Sequence, residues 1–239
     1  MILAGLNNVV ANRRVCLKKI PDETYWRGQK PVARLILNKI KKNNNILEIG
    51  IGKGGVTKYL LQKQPCLNVL GFDINKFSLE KARTLLRSKC KGKFRVFKMS
   101  QDVDFVKRFG KERFDFVISC GVMDYAKDPD KVIINVKKIL RPGGYFAFTL
   151  FDNLSSTDYD GKRPKYKYVS KIGIKTWGYR DFYVKKFLKK IGLELKSMKL
   201  FKKLHTNTQI ELSHTEINAI RKKLDDPYDD HFVILVRKR

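Results

Sequence analysis

The sequence predicts an α/β fold: a doubly wound sheet of seven mostly parallel strands with helices on both faces. Two observations predict it. From Asn45 onward, short apolar runs alternate with segments of helical periodicity at the spacing of βαβ units. The first of those runs, moreover, turns through Gly50, Gly52, Gly54 and Gly55 directly into a helix. A length of 239 residues with 43% hydrophobic content suits one sizeable core. The expectation is a single domain over 1–239, with an N-terminal helical cap (1–42), a core (43–151), an excursion (152–180) and a C-terminal helix and strand pair with a helical insertion (181–239).

The first strand is "ILEIG" (46–50), and a helix runs from Gly55 to Gln64. The second strand, "NVLGFDI" (68–74), stops at Asn75, and Ser78 is the expected cap of "SLEKARTLLRSK", whose Leu79, Ala82, Leu85 and Leu86 share one face. "KFRVFKM" (93–99) alternates as a strand does, "QDVDFVKRFG" reads as a short helix, and "RFDFVISCGV" (113–122) is the continuous apolar run of a strand covered on both faces. "DPDKVIINVKKIL" opens with a cap and Pro129 in the first turn, stops at "RPGG" (141–144), and leads into the strand "YFAFTLF".

Beyond Phe151 the rhythm changes. Residues 152–180 carry turn formers, charges and tyrosines with no periodic apolar face, so they read as a long excursion over the sheet edge, and loops of that length are usually functional. In "YRDFYVKKFLKKIG" the expected inward residues are Phe182, Val184, Phe187, Leu188 and Ile191, with four lysines facing water. "LELKSMKLF" and "HFVILVRK" are the last strands, and between them Ser213 and Glu216 form a capping box for the helix "TEINAIRKKL".

Composition narrows the class. No apolar run approaches a membrane span, and Asn7 and Asn8 break the N-terminal apolar stretch, so a cytoplasmic protein is expected. Four scattered cysteines without a C-x-x-C pair, far from the three histidines, predict neither disulfides nor a metal site. The net charge of +29 invites nucleic acid as a partner. Its distribution argues for a compositional bias as well: residues 1–42 carry +8, 43–151 carry +11 and 152–239 carry +10, with 37 Lys to 15 Arg.

A glycine turn between strand and helix presents backbone N–H groups and the positive end of the helix dipole to a ligand. Gly50, Gly52 and Gly55 satisfy G-x-G-x-x-G, and Asp73 ends the second strand where an acid can accept hydrogen bonds from a ribose diol. That much fits a dinucleotide or S-adenosylmethionine equally. Four features together carry a resemblance: "LEIGIGKGG" with its acid two residues before the first glycine, "GFDIN", "MSQDVDF", and "FDFVISCGVMDYAKDPDKVIINVKKILRPGGYFAFTL". On these the sequence resembles the class I S-adenosylmethionine-dependent methyltransferases, most clearly over 45–151.

The resemblance implies a Rossmann-like fold with an antiparallel last strand, 43–151 as the cofactor-binding core, and S-adenosylmethionine as the cofactor, leaving as S-adenosylhomocysteine, without a metal. It implies that Glu48 and the backbone of Gly50 and Gly52 surround the methionine part, Asp73 holds the ribose hydroxyls, and Ile74 packs on the adenine. Asp102, with the backbone of Gln101, meets the adenine amino group, a role for which Asp104 competes, and Cys120 and Gly121 close the site through backbone groups. Asp124, where small-molecule members often place histidine, is the candidate base beside Tyr125, and capping the next turn is its other reading.

The acceptor pocket is expected under the N-terminal helix "DETYWRGQKPVARLIL" and the 152–180 excursion, lined by Tyr25, Trp26, Tyr166, Tyr168 and Trp177. Aromatics among cations suit a planar or anionic small molecule, and also unpaired bases. A small-molecule acceptor is the leading expectation, RNA the second, and a cofactor-binding scaffold without turnover the third.

Overall fold

A computed structural model describes residues 29–90, 92–152, 165–169, 175–201 and 231–239. The capping box at Ser213 and Glu216, its helix, Tyr25 and Trp26 lie outside the described residues.

Helix α1 (Gln29–Leu37) precedes β1 (Asn45–Ile49), α2 (Gly55–Lys63), β2 (Asn68–Asp73), α3 (Lys76–Lys89) and β3 (Lys93–Lys98). Then follow α4 (Phe105–Phe109), β4 (Phe114–Ser119), a 3₁₀ turn (Met123–Tyr125), α5 (Pro129–Ile139) and β5 (Leu140–Asp152). The hairpin β6 (Lys165–Val169) and β7 (Lys175–Tyr179), helix α6 (Asp181–Lys190), β8 (Leu193–Phe201) and β9 (His231–Lys238) complete the described elements.

Strands β3, β2, β1, β4 and β5 lie parallel in that order. β9 runs antiparallel between β5 and β8. The predicted class therefore holds, with an antiparallel last strand, and the order reverses between β1 and β4, the switch point where open α/β sheets bind ligands. Each face is covered by three helices: Val32, Ala33, Ile36, Val56, Leu60, Leu79 and Leu86 bring α1, α2 and α3 onto one, and Phe105, Val132, Val136, Val184 and Leu188 bring α4, α5 and α6 onto the other.

Five local expectations change. The stop "RPGG" (141–144) lies within β5, which pairs with β4 from Leu140 onward through a register shift between Phe114 and Phe116. The hairpin adds two strands to the predicted seven, within a segment that has no apolar period because only the last two residues of β7 join the main sheet. Asn75, rather than Ser78, caps α3: its Oδ1 accepts from the Ser78 N–H at 3.2 Å, so the helix begins three residues earlier. Phe182 is exposed, since it sits 200° around α6 from the buried Val184. The described part of the N-terminal helix does not form a roof. Val32, Ala33 and Ile36 are buried against the sheet face, which their helical spacing demands.

The hairpin's position follows from edge accounting. Phe148 pairs with Ser119 of β4 on one edge of β5 and with Ile234 of β9 on the other. Three residues on, Phe151 pairs with His231 and with Gly178 of β7. β7 therefore occupies the edge that β4 vacates and overhangs the end of β4.

Asn75→Ala should lower stability by about 1 kcal/mol in urea unfolding, the usual size of a lost cap, whereas Ser78→Ala should leave it unchanged.

Candidate active site

β1 delivers the chain into the glycine turn. Gly50 N–H and Ile51 N–H both donate to the carbonyl of Phe72, at 2.8 and 2.9 Å, which fastens the turn to the end of β2. Gly50 has φ 70°, and a Cβ there would lie 2.1 Å from Cγ2 of Val122, which leaves β4. Gly52, at φ 53°, has open space where a side chain would project, and its N–H donates to Asp73 Oδ2 at 2.9 Å. Asp73 Oδ1 accepts from Asn75 N–H at 2.8 Å. The carboxylate is thus oriented by two backbone donors and keeps further lone pairs.

Glu48 is buried behind this turn and accepts a hydrogen bond from the hydroxyl of Thr57, in the first turn of α2. Burial pushes its carboxyl up to about 8; the charge of Asp73 adds to the rise and Thr57 opposes it.

Ile74 is 63% exposed directly after Asp73. Asp102 and Asp104 divide the roles for which they compete. Asp104 caps α4, accepting from Val106 N–H and Lys107 N–H at 2.9 and 3.1 Å. Asp102 instead accepts from Lys127 N–H at 2.9 Å, tying the loop after β3 to the loop after the 3₁₀ turn, and the neighbouring Gln101 is half-buried. Cys120 is half-buried, and its thiol is pushed well above the ordinary range by burial, with Glu48 and Asp124 adding to it. Gly121 N–H donates to Thr149 Oγ1 at 2.9 Å, which leaves only its carbonyl for a ligand.

Asp124 is completely buried, whereas Tyr125 beside it is 47% exposed. Asp124 Oδ1 accepts from Phe151 N–H at 2.8 Å and Oδ2 has no partner among the described residues; burial pushes the carboxyl up to about 8, against the pull of the backbone donors. Trp177 is less a wall than a fastening: its Nε1 donates to Ala126 O at 3.1 Å. Lys165 Nζ lies 4.4 Å from the centre of the same ring and pairs with Asp130 at 2.8 Å, and Tyr183 OH donates to that carboxylate at 2.6 Å. These bonds pin the hairpin over the 3₁₀ turn. Tyr166 and Tyr168 lie on β6, opposite Gly178 and Thr176 of β7.

Thr57, Thr149, Val122 and Asp130 enter the site although the motifs assign them no role. Thr149 had a signal, a hydroxyl within the apolar run "YFAFTLF". The bonds of Asp130 come from distant segments and had none, whereas Thr57 answers Glu48 across the glycine turn, nine residues before it.

Residues 47–146 match a family model described as a methyltransferase domain. That segment is a methyltransferase domain, and the fold is the one found in solved S-adenosylmethionine-dependent methyltransferases. Among curated relatives, a methyltransferase of Schizosaccharomyces pombe is 27% identical over 143 residues, 59% of this chain and 51% of that one. Sterol 24-C-methyltransferase of Saccharomyces cerevisiae is 25% identical over 55% of this chain and 33% of its own. The chain thus spans about half the length of the first methyltransferase and a third of the second. A Burkholderia thailandensis N-methyltransferase, solved with 1,6-didemethyltoxoflavin and S-adenosylhomocysteine, shares the fold at a TM-score of 0.62 and 14% identity, over 98% of this chain and 85% of that one. Among the described residues, no helix is long and apolar enough to cross a membrane, and no group of three His, Cys, Asp or Glu side chains gathers to hold a metal ion.

A carboxyl whose folded pKa is raised binds more protons in the folded than in the unfolded chain, so it opposes folding increasingly as pH climbs from about 4.5 to about 8. Relative to Glu48→Gln, the ligand-free protein should lose stability across that window, on the order of 1.4 kcal/mol for each pH unit crossed. Urea unfolding of both proteins at pH 5, 6.5 and 8 checks this; parallel stability curves would contradict it.

Proposed function

We propose that the protein transfers a methyl group from S-adenosylmethionine to an O, N or C atom of a small aromatic or anionic molecule. The observation that carries this reading is the glycine turn. Gly52 leaves a side chain's space open beside the oriented Asp73 carboxylate, with Glu48 buried behind and Gly50 closed by Val122. S-Adenosylmethionine fits these residues. Asp73 has lone pairs for two ribose hydroxyls, Ile74 offers an exposed apolar surface for adenine, and Asp102 and the Gln101 backbone stand at the neighbouring loop for its amino group. The carbonyls of Cys120 and Gly121 and the acid Glu48 suit an ammonium or sulfonium charge, and a positive ligand beside Glu48 favours its ionised form.

When bound, the cofactor supplies a methyl group on a sulfonium, transferred in line to the acceptor's nucleophilic atom. The protein's share is positioning and exclusion of water. Asp124 serves by position: with its pKa raised to about 8 it holds its proton at neutral pH, and it anchors the 3₁₀ turn to β5 through Phe151 N–H. That bond sets Tyr125 in the opening, edge-on to Phe151 with ring centres 6.1 Å apart. The acceptor's place is between Tyr125 and the hairpin, where Lys165 and Lys167 lie 4.4 and 5.2 Å from the Trp177 ring centre. Aromatic surface beside cations favours a planar or anionic acceptor, and an acceptor that arrives ionised needs no base.

Isothermal titration should show S-adenosylhomocysteine binding that Asp73→Ala weakens at least tenfold, the order expected for losing a charged hydrogen-bond acceptor. Equal affinity in the variant, or tighter binding of NAD, would refute the cofactor site. Labelled-methyl transfer into a small-molecule extract should exceed that into total RNA; label retained in RNA would overturn the acceptor class.

A further inference from the structure

A cavity lies at the end of the sheet opposite the glycine turn. The N-terminal ends of β1, β2, β3 and β4 surround a space of about 310 Å³. The helix on this face, α4, is only five residues long. Phe105 and Phe109 pack on Phe72, Phe97 and Phe114, and the helix covers neither of the lower rows, in which Leu70 stands opposite Arg95 and Asn68 opposite Lys93. Leu70 and Phe114 supply an apolar floor, and Lys93, Arg95 and Arg113 stand exposed on the rim.

Among the described residues those three cations lack a counter-charge. None has a side-chain ion pair or hydrogen bond among the described residues. The acids nearest them in the chain are already engaged: Asp115 binds Arg141 at 2.9 Å and Asn45 N–H at 2.7 Å, and Glu112 binds Lys238 at 3.2 Å. Asn45 Oδ1 accepts from Asn68 Nδ2 at 3.2 Å, which leaves the Asn45 amide N–H groups as donors at the cavity. A concave site lined by charge of one sign concentrates its field, and two guanidinium forks beside an ammonium match the oxygens of a phosphate.

We infer that this cavity binds a phosphate group carried on a nucleoside, presented either by a free nucleotide or by a nucleic-acid strand. The rim takes the phosphate and the apolar floor takes the attached sugar or base. Its volume is at the lower end of the range for small-ligand sites, enough for one nucleotide unit. The five-residue length of β1 separates it from the glycine turn by roughly 16 Å. The ligand held here is therefore distinct from the cofactor, and the inference does not rest on the methyl-transfer reading.

Fluorescence anisotropy on the full chain at low salt, with labelled AMP, a ten-nucleotide oligoadenylate and its deoxy counterpart, tests it. The pair Arg95→Gln and Arg113→Gln should weaken binding at least tenfold, roughly the loss of one charged phosphate contact. The pair Lys186→Gln and Lys190→Gln, which removes the same charge from the exposed face of α6, should change it less than twofold. Thermal melts identify any folding defect in either pair, and the exposed edge-strand change Lys93→Gln should then give the same direction alone. AMP binding comparable to that of the oligomers identifies a free nucleotide as the source, and oligomer binding without AMP identifies a strand. Absence of binding by all probes, or equal loss in the two pairs, overturns the inference.

Discussion

The site hangs on one close contact, between the backbone at Gly50 and the side chain of Val122. Two strands adjacent in the sheet but seventy residues apart in sequence end side by side, and their exits must pass each other. Only a residue without a Cβ lets Val122 come in at this distance. With Gly50 closed on that side, the chain bends back through Gly52, where space remains. The same bend aims Gly52 N–H at Asp73. The geometry of the turn thus orients the acid, and the acid braces the turn.

A second level of organisation comes from unequal strand lengths. β5 outruns β4, and its free edge accepts β7. The hairpin therefore continues the sheet instead of lying loosely on it, and the Trp177, Lys165, Asp130 and Tyr183 contacts lock it to the turn below. Asp124 works from beneath, as a buried proton-holding bolt to Phe151. Backbone fastened on three sides of the opening suits the alignment-governed transfer proposed above.

Much of this was legible in the residues. Period and punctuation located the parallel strands, and the Asp128–Pro129 start of α5 was readable because it is a local capping event, with Asp128 accepting from Lys131 N–H. Asn75 was misjudged for the same kind of reason: two polar residues three apart both suit a cap, and the choice depends on where β2 releases the chain. The hairpin escaped because its stability lies in fastenings to other segments, which leave no period. Asp124 was visible as a carboxylate in a loop. Its burial was not, since that follows from β5 extending behind it.

The placing of β9 has a consequence for how the molecule comes into being. β5 has one edge satisfied by β4 soon after both are made, but the other waits for residues 231–238, some eighty residues later. Until then a long, largely apolar strand, 145–151, presents an open hydrogen-bonding edge to whatever is near. Closing it requires a contact of high sequence separation, which is slow to form. During synthesis this edge is open to pairing with another copy, and the arrival of β9 closes it.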